Sequence, residues 1–502
     1  MKKANDSSHH NHSHGQNRFS VMPAPLRLGA VKHLTGKGVT IAFLDSGFYP
    51  HPDLTETENR ILAFEDISGR RSTLNQYGAP KSWDWHGTQT SVVATGNGHL
   101  SDGAYRGIAS DAQVVLVKVG AEGRITEEHI ASGIRWVIEN KDRYAIRIIN
   151  ISLGGDEDIP HKESLADCAA EEAIRKGLIV VAAAGNTGCT PDHHTRPPAN
   201  SPSVITVGGY DDKNQFGEED FGIYCSSFGP TADGIVKPEI IAPAIWIAAP
   251  ILPDTNLYDR AEALSFLEAQ PDYLLTSLAR SAADPDSQLS ETARDAWENA
   301  SLPESLAGES AETIRTVIEA AIKKDKIVAA HYQHVDGTSF AAPIVSSVIA
   351  QMLEANPTLS PGAVKHILIS TASRIAGAPL MWQGYGVLRA RQVIEMASSQ
   401  QQPLDDDYFR PPLIEGEHLV FFYHNEEAKS VSLAGDFNGW DPERANFKRD
   451  GKGVWRAEIP IPSPGRYSYK LVVNGQRWVE DPSNGLKEPD NHGGLNSVLD
   501  IK

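Results

Sequence analysis

Residues 337–343 read Gly-Thr-Ser-Phe-Ala-Ala-Pro and run into the apolar pair Ile344-Val345, which predicts a buried helix beginning near Ser339. A serine at a helix N-terminus offers its own backbone N–H group, and the helix dipole there favours developing negative charge. The commonest use of serine before a helix is as an N-cap. Taken alone, the segment therefore leaves two roles open for Ser339, a nucleophile and an N-cap.

Three earlier segments supply the partners that a nucleophilic serine needs. Asp45 ends an apolar strand in Leu-Asp-Ser-Gly, His86 lies in Asp-Trp-His-Gly-Thr, and Asn186 ends Ala-Ala-Ala-Gly-Asn. A serine nucleophile requires a base, the base requires an orienting carboxylate, and an amide can hold the oxyanion. Singly, each residue has a plainer explanation: a turn-capping aspartate, a structural histidine and an asparagine in a turn.

The pattern around these segments predicts an α/β fold with a parallel sheet flanked by helices. Helical stretches over 125–140 and 163–176 alternate with apolar strands. The predicted strands cover residues 39–44, 112–119, 147–153, 178–184 and 204–208. Parallel strands place the residues at their carboxyl ends along one edge of the sheet, where open α/β sheets form their sites.

The order Asp, His, Asn, Ser and the motifs around these residues resemble the subtilisin-like serine proteases, or subtilases, over residues of about 36–397. The resemblance implies an Asp45-His86-Ser339 triad that hydrolyses peptide bonds through an acyl-enzyme, with Asn186 in the oxyanion hole. It also implies two substrate-binding segments, formed by Ser152, Leu153, Gly154 and Gly155 and by Ala184 and Gly185.

Two departures from the family pattern stand out. The family usually continues His-Gly-Thr with His-Val-Ala, whereas this chain has Gln-Thr-Ser at 89–91. The residues before Asp45 are too few for a folded propeptide plus the first strand, which favours the intracellular branch. Catalysis of this type needs no cofactor. Structural calcium occurs in many relatives, and Asp53 matches a ligand position in some, although the short loop between His86 and Arg106 weakens that prediction.

The chain outside these motifs divides by composition. Residues 1–20 predict a disordered, histidine-rich tail, with transition-metal binding as the alternative. Residues 21–398 form the predicted protease domain, interrupted at about 254–325 by an Ala/Glu-rich helical insertion, and residues 399–412 form a linker. Three roles remain open for the insertion: a surface that binds a partner, a lid over the cleft, or a set of solvated helices with no binding role.

Residues 413–502 change to a period of two and predict an all-β, immunoglobulin-like sandwich. The segment Gly-Asp-Phe-Asn-Gly-Trp-Asp at 435–441 and the later Trp, Lys and Asn resemble glycogen-binding carbohydrate modules. The resemblance implies an α-glucan site of Trp440, Lys470, Trp478 and Asn496, because an exposed indole stacks on a sugar face. The alternative is a module that only packs against the protease domain.

The composition limits the partners. The 502 residues carry a net charge of −19, which argues against nucleic-acid binding, and no apolar stretch is long enough to span a membrane. No apolar run follows the N-terminal lysines, so we expect no secretory signal and a cytoplasmic location. That location predicts that Cys168, Cys189 and Cys225 are free thiols. The expected partners are a protein or peptide substrate and an α-glucan, and the oligomeric state is left open. The alternative function is a catalytically silent glucan-binding or scaffold protein.

Overall fold

Strands and helices alternate from Thr40 to Ala183, as the apolar periodicity predicts. The computed structural model describes residues 20–76, 78–121, 124–216, 220–284, 291–400, 410–450 and 453–501. The predicted tail therefore lies almost wholly outside the described residues, as does most of the predicted linker. The domain boundaries proposed from the sequence stay predictions.

Eight strands of the described chain form the main sheet, in the order β2-β3-β1-β4-β5-β6-β7, with β8 beside β6. All neighbours pair in parallel except β7, which is antiparallel to β6. The strands are β1 (Thr40–Asp45), β2 (Ile61–Asp66), β3 (Gln113–Lys118), β4 (Ile146–Ile151), β5 (Ile179–Ala183), β6 (Ile205–Asp211), β7 (Gly222–Ile223) and β8 (Ile240–Pro243). The predicted α/β fold with a largely parallel sheet is confirmed.

Helices cover both faces of this sheet, so its central strands β1, β3, β4 and β5 are buried along nearly their whole length. Ile130 and Ile134 of α4 and Ala170 of α5 belong to the apolar cluster on one face, and Val345 and Ile349 of α10 to the cluster on the other. Side-chain caps begin several helices: Thr126 accepts from the N–H of His129 at α4, and Ser164 from that of Asp167 at α5. The helices of this part are α1 (Ala24–Arg27), α2 (Pro52–Thr55), α3 (Trp85–Thr95), α4 (Glu127–Asn140) and α5 (Leu165–Arg175), and, later in the chain, α10 (Thr338–Ala355), α11 (Pro361–Thr371), α12 (Leu380–Gln383) and α13 (Ala390–Ser399).

Residues 253–334 form a compact unit of their own. Buried leucines and isoleucines such as Leu264, Leu275 and Ile318 make its core, and Arg315 ties two of its helices by donating to Glu268 O (2.9 Å) and Gln270 O (2.6 Å). Its elements are α6 (Asn256–Glu268), α7 (Asp272–Ala282), α8 (Glu291–Asn299), α9 (Ala311–Lys324), β10 (Ile327–Ala329) and most of β11 (Tyr332–Val335). A further strand, β9 (Ile247–Pro250), precedes this unit in the sequence.

The C-terminal region is all-β, as predicted. Its two sheets run in the orders β12-β13-β16-β15 and β14-β17-β20-β19, with β18 beside β17. The strands are β12 (Leu413–Glu415), β13 (His418–His424), β14 (Val431–Gly435), β15 (Lys448–Asp450), β16 (Val454–Pro460), β17 (Gly465–Val473), β18 (Arg477–Val479), β19 (Lys487–Pro489) and β20 (Leu495–Ile501). Phe421 of one sheet and Tyr469 of the other meet in the shared core, edge to face, with ring centroids 5.3 Å apart.

This β-sandwich packs directly against the α/β domain. Ile235 of the α/β domain shares an apolar cluster with Leu413, Val420 and Phe422. Two hydrogen bonds add to this contact: the Arg374 guanidinium donates to Gly485 O (2.8 Å) and the Tyr385 hydroxyl to Pro482 O (3.2 Å). The module therefore packs against the protease domain, and sugar binding stays a prediction.

Candidate active site

Three of the predicted site segments lie at the carboxyl ends of neighbouring strands. Asp45 ends β1, Ser152 follows β4 and Asn186 follows β5, and β4 pairs with both β1 and β5. Because parallel strands end at the same edge, the fold alone brings these residues to one side of the sheet.

His86 reaches Asp45 from the first turn of α3. Its Nδ1 lies 2.8 Å from Asp45 Oδ1 and 3.0 Å from Oδ2. The carboxylate is almost fully buried and also accepts from Ser46 N (2.7 Å) and from the Thr90 hydroxyl (3.2 Å). With Nδ1 bound to Asp45, Nε2 is the ring nitrogen left to exchange a proton.

Burial and Asp45 act on the His86 pKa in opposite directions. Burial of the imidazole lowers its pKa, but the Asp45 charge and hydrogen bond together outweigh burial, so the pKa is raised above its usual value. The pair therefore stabilises the protonated imidazole that a general base must become.

The start of α3 is fixed by a buried ion pair. Asp84, the residue before the helix, lies 3.2 Å from the Arg71 guanidinium and accepts from Lys81 N (3.0 Å). Burial raises the pKa of the Asp84 carboxyl, and Arg71 opposes this. Because Asp84 is held in this way, His86 two residues later has little freedom to leave Asp45.

Ser339 lies in the first turn of α10, beside Ser152. Its hydroxyl donates to Ser152 O (3.3 Å), and the Ser152 hydroxyl donates to Ser339 O (2.8 Å). Among the described residues, Ser339 forms no hydrogen bond with His86 in this state. A rotation of the hydroxyl is therefore needed before its proton can pass to Nε2, which is common in enzymes without substrate.

Asn186 is oriented by the residue before Ser339. Its Oδ1 accepts from Thr338 N (2.9 Å) and from the Thr338 hydroxyl (3.1 Å), so its Nδ2 is left to donate. Gly337 has a φ of +139°, and a Cβ placed on it would lie 3.6 Å from Asn186 Nδ2 and 3.8 Å from Ser339 N. Two donors thus converge on a space that the absence of a side chain keeps open, which is the arrangement an oxyanion requires.

Sequence reasoning missed the residues that support this arrangement. Thr338 lies in the segment 337–343, but the sequence alone indicates no role for it. Asn150 is buried in β4, where it donates to the Ser152 hydroxyl (3.1 Å) and accepts from the Ser346 hydroxyl of α10 (2.9 Å). Periodicity could not reveal this chain of contacts, because it depends on α10 lying across β4.

The two predicted substrate-binding segments are adjacent. Gly155 N donates to Pro197 O (2.8 Å), and a Cβ on Gly154 would lie 3.3 Å from Arg196 Cβ, so the loop at 196–197 lies against the first segment. In the second segment, Ala184 is buried and Gly185 O accepts from Ser227 N (2.9 Å). Leu153 is half-buried and packs on the core. Both segments are therefore held by backbone contacts.

The predicted sugar-binding residues gather on one face of the C-terminal sheet. The Trp440 and Trp478 rings are near-parallel, with centroids 6.4 Å apart and an angle of 28° between the planes, and Trp478 is 43% exposed. Trp478 stands opposite Val472 in the β17–β18 pair, so it shares the outer face with Lys470 two residues earlier. Continuing the β17–β20 register by one residue places Asn496 opposite Lys470. Lys470 also pairs with Asp490 (2.5 Å), which with backbone N–H groups holds the pKa of that carboxyl well below its usual range.

Comparison with known proteins places the α/β domain. A profile described as "Subtilase family" matches residues 36–387. The chain belongs to the subtilase family. The serine protease AprX of Bacillus subtilis (strain 168) is 33% identical over 344 residues, covering 67% of this chain and 61% of AprX. The major intracellular serine protease of the same organism is 33% identical over 187 residues, covering 35% of this chain and 52% of that protein. This subtilase therefore spans between half and two thirds of the length of these relatives.

A second profile, carbohydrate-binding module 48 (isoamylase N-terminal domain), matches residues 410–483 of the subtilase. Among solved structures, fervidolysin from Fervidobacterium pennivorans, described as a keratinolytic enzyme related to subtilisin, is 19% identical. The two share a TM-score of 0.47, over 89% of this chain and 55% of fervidolysin.

One sequence prediction is wrong. Cys189 and Cys225 form a disulfide in this subtilase, with Cα atoms 5.3 Å apart, and Cys168 is the free cysteine among the described residues. The prediction of three free thiols rested on the expected compartment, whereas the pairing follows from the fold. Gly188 N donates to Cys225 O (3.0 Å), so the loop after Asn186 runs beside Cys225.

Asp53, the calcium candidate of the sequence, is fully buried and already accepts several hydrogen bonds. Its Oδ1 accepts from Leu100 N (3.1 Å), its backbone oxygen accepts from Asn97 N (3.0 Å), and the Arg60 guanidinium donates to the same oxygen (2.5 Å). Over the described residues, no three His, Cys, Asp or Glu side chains group in a way that could hold a metal. Calcium elsewhere in the chain stays a prediction. Among the described residues, no helix combines the length and the apolar character that a membrane span needs.

Proposed function

We propose that this subtilase is a serine endopeptidase that hydrolyses peptide bonds through an acyl-enzyme. The observation that carries the proposal is the buried Asp45 carboxylate bound to His86 Nδ1 at 2.8 Å, at the sheet edge that also holds Asn186 and faces Ser339. Structural histidines also pair with carboxylates. Here, however, the same edge carries a serine at a helix N-terminus and two converging N–H donors.

The geometry supports a defined sequence of steps. The Ser339 oxygen attacks the substrate carbonyl carbon while its proton passes to His86 Nε2, and Asp45 stabilises the imidazolium. Asn186 Nδ2 and Ser339 N donate to the oxygen that becomes negatively charged. His86 then gives its proton to the leaving amine. Water repeats the cycle on the acyl-enzyme and releases Ser339.

The test is covalent labelling of the intact chain with a fluorophosphonate, beside hydrolysis of casein. Wild type should be labelled and Ser339→Ala should not. Ser347→Ala is the matched control, because it removes a buried serine hydroxyl from the same helix, where it donates to Ile344 O (2.7 Å). Absence of label in folded wild type, with no hydrolysis, would favour the catalytically silent alternative.

We further propose that the C-terminal module binds α-glucan. The near-parallel Trp440 and Trp478 rings, with Lys470 and Asn496 on the same face, support this. A sugar ring laid on an indole buries its C–H face, and the lysine and asparagine can hydrogen-bond its hydroxyl groups.

Co-sedimentation with amylopectin tests the module in the full chain carrying Ser339→Ala, so that proteolysis plays no part. Replacing both Trp440 and Trp478 with alanine should abolish sedimentation. Tyr273→Ala is the control, because it removes a 76% exposed aromatic side chain outside the module. Equal sedimentation of all three proteins would remove the stacking proposal and leave a packing module.

A further inference from the structure

Trp85 stands exposed at the candidate active site. It is the first residue of α3, directly before His86, and 47% of its surface is accessible. Trp83, two residues earlier, is less exposed and lies against Gly47, with its Cδ1 2.8 Å from where a Gly47 Cβ would be. The two indoles therefore differ in environment: Trp83 packs against the protein, whereas Trp85 is exposed to solvent.

The position of Trp85 is set by its neighbours in the sequence. Asp84 is fully buried against Arg71, and Asp84 O accepts from Thr88 N (3.2 Å) and from the Thr88 hydroxyl (2.6 Å). The backbone that carries Trp85 is therefore already ordered. Because of this, little backbone entropy is lost when a ligand binds to the exposed indole.

The indole lies beside the imidazole. The Trp85 and His86 ring centroids are 5.1 Å apart and the planes are almost perpendicular, at 87°. On another side, the Phe340 ring centroid lies 6.0 Å from that of His86, but Phe340 is buried in the core. Of these two aromatic neighbours, only Trp85 has surface left for a ligand.

A substrate whose scissile bond is served by His86 Nε2 passes close to the imidazole, and the indole centroid lies 5.1 Å from that ring. Apart from P1 itself, the side chains nearest the bond are those of P2, the residue before P1, and of P1′, the residue after the bond. A large apolar side chain in either place would cover indole surface that otherwise faces water, whereas a glycine would not.

We propose that Trp85 is a specificity-determining residue, forming an aromatic wall that selects substrates with a large apolar side chain at P2 or P1′. This inference rests on the proposed endopeptidase function. Covering about 60 Å² of apolar surface corresponds to about tenfold in kcat/KM.

The experiment compares internally quenched peptides that differ only at P2 or only at P1′, with phenylalanine or glycine in that place. In wild type the phenylalanine peptide of at least one pair should be the better substrate. Trp85→Ala should reduce the Phe/Gly ratio of kcat/KM about tenfold, mainly through KM. Trp85→Phe should reduce it less, because a smaller aromatic surface remains.

Equal losses on both peptides of each pair would overturn the proposal, because Trp85 would then only position His86. An unchanged ratio would overturn it as well. Fluorophosphonate labelling of wild type and Trp85→Ala is measured alongside: label without a change in the ratio refutes the role of Trp85, whereas no label in either protein refutes the endopeptidase itself. Binding is also measured in the absence of catalysis, with Ser339→Ala and with the double variant Ser339→Ala plus Trp85→Ala. The Phe peptide should bind about tenfold more tightly to Ser339→Ala than to the double variant. This comparison reads the contact without catalysis.

Discussion

Replacing Thr338 with valine removes one hydroxyl group and keeps a β-branched side chain of similar shape. That hydroxyl accepts from Gly185 N (3.1 Å) and donates to Asn186 Oδ1 (3.1 Å). In the variant, Asn186 would keep only the Thr338 N–H as a donor to Oδ1, at 2.9 Å. The amide that is proposed to hold the oxyanion would then be free to turn about its remaining contact.

The expected size of the effect follows from the hydrogen bonds lost. A neutral hydrogen bond contributes about 1 kcal/mol net, so losing one of the two that orient Asn186 should cost about fivefold in kcat. KM should change little, because the amide acts on the charge that develops after binding. Removing the corresponding amide in subtilisin, a member of this family and the source of this figure, costs about 10²–10³ in kcat. Thr338→Val should therefore be much milder than Asn186→Ala.

The assay is steady-state hydrolysis of a peptide p-nitroanilide by four proteins: wild type, Thr338→Val, Asn186→Ala and the double variant. Thr338→Ser is the control, because it keeps the hydroxyl and should keep most of the activity. If Thr338 acts through Asn186, the valine change should have little further effect once Asn186 is alanine. The reasoning would be refuted if adding Thr338→Val to Asn186→Ala lowered kcat a further fivefold. It would also be refuted if Thr338→Val alone left kcat unchanged.

Three further changes test other parts of the structure. Asp45→Asn should lower kcat by about 10⁴ and move the acid limb of the pH–rate profile to lower pH, because the carboxylate raises the pKa of His86; an unmoved limb would contradict this. The same pairing should stabilise the fold below the usual histidine pKa of about 6.5 and lose that effect as pH rises through the raised value, which urea titration of wild type against the variant measures. Changing Cys189 and Cys225 together to serine should cost about 3–4 kcal/mol of unfolding free energy, since the bond closes a 36-residue separation, and an unchanged midpoint in the oxidised protein would contradict it. Glu239→Gln should destabilise by about 3–5 kcal/mol, because it leaves two buried lysine ammonium groups, each 2.7 Å from the carboxylate, without their counter-charge; a loss below about 1 kcal/mol in urea would contradict it.

The sequence predicted the parts of this molecule that repeat a local rule. Residues 178–184 are apolar throughout and residues 39–44 are apolar except for Thr40, as is typical of strands buried on both faces, so the sheet could be predicted. Asp45, His86, Asn186 and Ser339 were found because each lies in a short motif, and their order supplied the rest. The structure joins Asp45 to His86 and Asn186 to the residue before Ser339, and their catalytic roles stay proposals.

The missed features depend on contacts between distant segments. The spacing of Cys189 and Cys225 carries no signature, and the pairing exists because the loop after β5 runs beside residue 225. The contact between Asn150 and Ser346 needs α10 to cross β4. The cytoplasmic location and a structural calcium ion stay predictions, because no contact described above tests them.

The apolar contact of Ile235 with Leu413 and Phe422 gives the carbohydrate module a fixed attachment. A domain on a loose tether samples a volume, and its effective concentration near a target depends on tether length. A docked domain instead has a single reach and a single orientation. If the tryptophan pair holds a polysaccharide, the scissile site would stand at one height and angle above the polymer surface. Proteins lying at that height would be cleaved, and others on the same polymer would be spared whatever their sequence.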